Sequence, residues 1–108
     1  MTNQRIVLTT AGSEEEAQTI ARHLVERRLA ACVNIISQVK SVYRWQGKVE
    51  ESHEWLLFIK TTAAAFDQVR EAISKIHSFD VPECLCLTIE AGSAEYLEWL
   101  AQSVAVKD

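Results

Sequence analysis

Apolar positions recur along this chain with two different periods, and the switches between them mark out seven segments. Ile6 to Thr10 alternates as a strand. Gly12-Ser13 then opens a helix: Ser13 and Glu16 stand at capping-box spacing, and Glu14, Glu15 and Glu16 suit its positive end. Ala17, Ile20, Ala21, Leu24 and Val25 form one apolar stripe, and Arg27 and Arg28 bring cations to the negative end. From Ala30 to Trp45 the chain is rich in Val, Ile and Tyr, and after Gln46-Gly47 a second extended run continues from Lys48 to Lys60. Two extended runs around a two-residue turn predict a hairpin. Thr61 and Thr62 offer an N-cap to a helix that carries Phe66, Val69, Ile73 and Ile76 inward and stops before Pro82. Cys84 to Glu90 alternates again, and Gly92-Ser93 starts a last helix striped by Leu97, Leu100, Ala101 and Val104.

The order is therefore βαββαβ with a terminal helix, which predicts a single α+β domain over residues 1–108. Its expected form is a ferredoxin-like βαββαβ sandwich with a long β2–β3 hairpin and a C-terminal helix. Two crossover helices cover one face of such a sheet, so the strands of a lone subunit should alternate apolar and polar. Here they do not. Ala30, Cys32 and Ile36 project to one side while Ala31, Val33 and Ile35 project to the other, and Trp55, Leu57 and Ile59 oppose Leu56 and Phe58. The hairpin strands are also overlong: about 16 residues at ~3.3 Å each reach roughly 50 Å. Val39, Val42, Tyr43, Trp45 and Val49 make its distal part too apolar to stand in water. The pattern predicts a homo-oligomer locked by exchanged hairpins. The alternative is a C-terminal helix folded back over the open face.

Composition narrows the function more than it names it. The 108 residues carry 11 Lys and Arg against 15 Asp and Glu, a net charge of −4 with no basic run, so a phosphate backbone finds little to bind. The segment Trp55-Leu56-Leu57-Phe58-Ile59-Lys60 lacks the Gly-Phe-Gly-Phe-like pattern of an RNA-recognition sheet. No apolar run approaches the length needed to span a bilayer. Three cysteines and a polar start at Thr2-Asn3-Gln4-Arg5 point to a reduced, cytoplasmic protein. Thr10-Ala11-Gly12-Ser13 holds neither the arginine of an acylphosphatase-like anion loop nor the Cys-x-x-Cys of a metallochaperone. No catalytic centre is recognisable, and none is expected.

The segments Leu29-Ala30-Ala31-Cys32-Val33-Asn34-Ile35 and Ser41-Val42-Tyr43-Arg44-Trp45-Gln46-Gly47-Lys48-Val49-Glu50 carry a resemblance, supported by Glu54 with Leu57, Lys60-Thr61-Thr62, Val81-Pro82-Glu83 and Tyr96-Leu97-Glu98-Trp99-Leu100. In this order over nearly the whole chain, they resemble the CutA family of divalent-cation tolerance proteins. The resemblance implies a homotrimer similar to PII-type signalling proteins, joined through hairpin pairing. It also implies association with Cu(II) or another divalent cation that folding does not require, and no enzymatic reaction. It points to Cys32 and His77 as metal contacts, with Glu83 beside them.

The residues themselves leave alternatives open. Cys32 is a ligand or a buried thiol, and His77 is a ligand or the cap of the second helix. Cys84 and Cys86 share one side of a strand without further ligands and read as small core residues. His23 and His53 have no sequence partner and read as solvent-facing or interfacial. Tyr43, Trp45, Lys48, Glu50, Trp55 and Lys60 combine aromatic walls with charges, which suits an effector pocket or a packed interface. A small-molecule sensor or partner-binding scaffold is therefore the rival to metal tolerance.

Overall fold

The computed structural model describes residues 2–106. The expected domain span of 1–108 also takes in Met1, Lys107 and Asp108, which lie outside the described residues. The observed elements are β1 (Gln4–Ala11), α1 (Glu14–Glu26), β2 (Cys32–Trp45), β3 (Lys48–Thr62), α2 (Phe66–Ile76), β4 (Leu85–Thr88) and α3 (Ala94–Ser103). The strands form one antiparallel sheet in the order β2-β3-β1-β4, the ferredoxin-like arrangement.

Alternation along β1 and β3 sorts the sheet into two faces. Val7, Thr9 and Ala11 on β1, with Leu57, Ile59 and Thr61 on β3, are fully buried on one face. There they form part of a core that includes Ala17, Ile20 and Leu24 of α1 and Val69 and Ile73 of α2. Each buried Leu, Ile or Val contributes about 1.5–3 kcal/mol relative to exposure. Ile6, Leu8, Leu56, Phe58 and Lys60 occupy the opposite face. At the edges Ile36 (45% exposed), Leu85 (54%) and Leu87 (46%) extend it. That second face is partly covered: α3 lies at its Lys60 end, where the Gln4 Nε2 group donates to Leu97 O and Lys60 Nζ donates to Tyr96 Oη. The terminal helix thus folds back over this face, as the alternative expectation had it, yet leaves an apolar strip open.

Several boundaries differ from those expected. The extended run of β3 continues through Thr61 and Thr62, so neither caps α2; Ala65 is the N-cap, without a side-chain hydrogen bond. Thr61 instead donates its hydroxyl to Leu29 O at 2.6 Å, tying β3 to the end of α1. Helix α1 ends at Glu26. Arg28 has a left-handed backbone (φ 59°), and its guanidinium donates to Gln102 O and Ser103 O, so its charge sits at the negative end of α3 rather than of its own helix. Strand β4 is only four residues long and lies at the sheet edge, which leaves Cys86 exposed instead of in the core; Cys84 is half-buried against it.

The β1–β3 ladder ends at Ala11↔Trp55, whereas β2 and β3 continue as a two-stranded ribbon to Trp45↔Lys48. The molecule is accordingly 44 Å in its longest dimension. The turn places Gln46 (φ 50°) and Gly47 (φ 79°) both in the left-handed region, as a two-residue type I′ hairpin turn demands. Between Ile36↔Leu56 and Val39↔Glu54 two β2 residues face one on β3, a bulge with Gln38 at φ 59°.

Candidate functional site

His77 ends α2, and its ring is completely enclosed. The Phe79 backbone N–H donates to Nδ1 at 3.0 Å, which fixes the proton on Nε2, and Nε2–H donates to Thr10 O at 2.6 Å. Both nitrogens are therefore committed to protein, and Phe79 packs its ring at 4.8 Å from the imidazole. Glu16 completes this junction. Its Oε2 accepts from the Ser78 backbone N–H at 2.7 Å and stands 3.8 Å from His77 Nδ1, while Oε1 accepts from Gly12 N–H at 3.3 Å. Burial opposes ionisation of Glu16, but the Ser78 and Gly12 hydrogen bonds and His77 together hold its carboxyl below the usual value of 4.5. The carboxylate that begins α1 as a capping residue thus also fastens the start of the α2–β4 loop.

Cys32 lies elsewhere. It pairs with Lys60 on the edge strand β2, half-buried on the face away from α1 and α2, with Sγ 3.8 Å from Asn34 Oδ1. Strand spacing and rise put it roughly 16 Å from the Thr10 level where His77 binds, against the ~4 Å between ligands of one ion. Glu83 sits at the His77 end of β1, where its backbone carbonyl accepts from Thr9 Oγ1 at 2.6 Å, and its side chain is exposed. His77, Cys32 and Glu83 are therefore not brought together within one chain. Among the described residues no three His, Cys, Asp or Glu side chains gather at metal-binding distance. Burial pushes the Cys84 thiol up, opposed by Arg70 and aided by Cys86 and Glu83, and burial likewise raises Cys86 against the influence of Arg5. Both favour the protonated thiol, a poor metal ligand. His23 is half-buried beside Arg27 and Lys75 in the groove between α1 and α2, and His53 is exposed opposite Lys40.

The aromatic and charged constellation is partly assembled. Cross-strand pairing sets Tyr43 opposite Glu50 and Trp45 opposite Lys48, all four on one face of the ribbon and all exposed, Trp45 by 60%. Trp55 projects to the opposite face, packed against the core, with an indole N–H that is buried without an acceptor. Lys60 stands at the far end of β3, under the ring of Tyr96 at 5.6 Å, and Tyr96 in turn packs on Trp99 at 5.4 Å. Sequence spacing showed neither this Lys60–Tyr96–Trp99 cluster nor the Glu16–Ser78 bond. The only signals were a repeated aromatic spacing in the last helix and a glutamate already explained as a cap.

These features define a class: a ferredoxin-like α+β protein whose β2–β3 arm outruns its sheet and whose helix-free face stays partly apolar. The chain belongs to the CutA1 divalent ion tolerance protein family, whose model matches residues 5–103. It is 50% identical over 100 residues to the divalent-cation tolerance protein CutA of Thermus thermophilus, covering 93% of this chain and 97% of that one. The solved Cut A1 structure from the same organism superposes with a TM-score of 0.92 at 49% identity, over 94% of this chain and 99% of that chain. Protein CutA of Mus musculus is 43% identical over 86% of this chain, which spans 52% of that protein's length. Among the described residues no helix is long and apolar enough to cross a membrane.

Proposed function

We propose that this chain acts as a non-enzymatic divalent-cation tolerance protein that assembles as a homotrimer in the cytoplasm. The observation that carries this reading is the uncovered apolar strip, Ile36, Leu85 and Leu87 with Leu56 and Phe58 between them, flanked by the free edges of β2 and β4. A second copy is the surface best matched to it, because an antiparallel edge and an apolar face satisfy their own kind. The names of the relatives support the link to divalent cations.

The cation, Cu(II) or another divalent ion, sits on this reading where copies meet. There the Cys32 thiol and the Glu83 carboxylate of different chains converge on it. His77 joins them only by exchanging the bonds to Thr10 and Phe79. Sedimentation of the purified protein should give a species of three 12.2 kDa chains, and a single-chain mass overturns the assembly. Calorimetric titration with Cu(II) should show binding that Cys32→Ala and Glu83→Gln each weaken; identical isotherms overturn the metal site.

One observation favours a second reading, a PII-like sensor or partner-binding scaffold. Tyr43, Trp45, Lys48 and Glu50 share a face at the ribbon tip, and a neighbouring copy would supply the Trp55 or Lys60 that a single chain holds apart. Quenching of Trp45 fluorescence by an anionic metabolite, without a change of mass, would favour it.

A further inference from the structure

A cavity of about 250 Å³ opens where α3 crosses the end of the β1–β3 pair, away from every residue discussed as a metal or ribbon site. Its walls are Asn3, Gln4, Thr62, Glu98 and Gln102, with Ala101 and Val106 as the apolar side. Thr62 is only 7% exposed, and its hydroxyl is closed to solvent with no hydrogen-bond partner. An unpaired buried hydroxyl destabilises a fold, so a ligand that reaches it relieves that penalty.

The remaining polar atoms decide which ligand. Gln4 Nε2 already donates to Leu97 O, and Gln102 Nε2 already donates to Glu98 Oε1. The carboxamides of Asn3, Gln4 and Gln102 present both N–H donors and carbonyl acceptors and so take either kind of partner, whereas the second carboxylate oxygen of Glu98 takes only a donor. No cationic side chain is among the described wall residues. The one charged group among the described wall residues is thus a carboxylate, which suits a donor-rich cation, and the Ala101–Val106 side suits methylenes.

We propose that this cavity binds a small alkylammonium ion, its head group on Glu98 and the Thr62 hydroxyl and its chain along Val106. The site is independent of the divalent-cation reading. It uses other residues, and its ligand is held by hydrogen-bond donation and chain burial rather than by coordination.

The test is a titration of the intact protein with n-butylammonium chloride, followed by amide chemical shifts and compared with n-butanol and magnesium chloride. Saturable shifts confined to Asn3, Gln4, Thr62 and the Glu98 turn are expected, with millimolar affinity, about the strength of one charged contact plus a short chain. Glu98→Gln should weaken binding about tenfold and Thr62→Val several-fold, while Thr62→Ser retains it. Equal binding of n-butanol, displacement by magnesium, no saturation below about 50 mM, or indifference to Glu98→Gln in a protein with unchanged shifts elsewhere overturns the proposal.

Discussion

At the scale of single residues, the side chains of Glu16 and His77 tie together four backbone groups, those of Thr10, Gly12, Ser78 and Phe79. Glu16 was legible in the sequence as half of a capping box, and Ser13 Oγ does accept from Glu16 N–H at 3.1 Å. Its reach to Ser78, 62 positions away in the chain, was not legible, because a contact of that span is made by topology and not by local spacing. Glu16→Gln should lower stability by about 1–3 kcal/mol at pH 7, since it replaces charge-assisted bonds by neutral ones. Because the folded carboxyl titrates below its unfolded value, its contribution is complete above about pH 4.5 and fades as pH falls through the folded value. Urea unfolding at pH 7 and at about pH 3 should therefore show a gap between wild type and Glu16→Gln that closes in acid. A gap that is the same at both pH values would contradict the assignment. His77→Ala leaves Thr10 O and the Phe79 N–H without their partner and opens a hole in the core. The expected cost is about 2–4 kcal/mol in the same measurement, with or without metal.

At the scale of elements, the seven segments, their types and the hairpin were readable from periodicity, and most residues expected to face inward on the helices do so: Ile20, Leu24, Val69, Ile73, Leu100 and Val104 are buried. The misreadings at Thr61, Thr62 and Cys86 arise from their places in the sheet. Thr61 and Thr62 have the side chains of an N-cap but also the branched shape of a strand residue, and pairing with Arg5 and Gln4 outweighed the cap. Cys86 alternates as a core residue would, but edge position, which sequence does not reveal, left it uncovered. The turn offers a direct test of backbone strain. A Cβ on Gly47 meets nothing within 4 Å, so Gly47→Ala suffers only from its φ of 79° and should cost about 1 kcal/mol in thermal unfolding. Gln46→Asn, better suited to positive φ, should raise stability by a few tenths of a kcal/mol.

At the scale of the whole molecule, the sequence signalled assembly through strands apolar on both sides, and the structure shows which part of that surface one chain can shield. Helix α3 covers the Lys60 end; the strip at Ile36, Leu85 and Leu87 it leaves bare. On the proposed assembly, Trp45→Ala removes a large exposed aromatic from the contact and should weaken association by about 2 kcal/mol, some thirtyfold in dissociation constant. Light scattering on serial dilution measures this, and an unchanged mass at every dilution would count against a role for the ribbon tip. The two-for-one step at Ser37-Gln38 has a consequence for how this ribbon tolerates change. Past that point, odd-numbered positions of β2 share a side with even-numbered positions of β3. Removing Ser37 or Gln38 would restore a regular ladder in which Val39 still faces Glu54 and Tyr43 and Trp45 keep their side, whereas removing one residue beyond Val39 would turn the rest of β2 over against β3. A one-residue deletion at the bulge should therefore be tolerated better than the same deletion farther out along β2, where it would exchange the two sides of the arm.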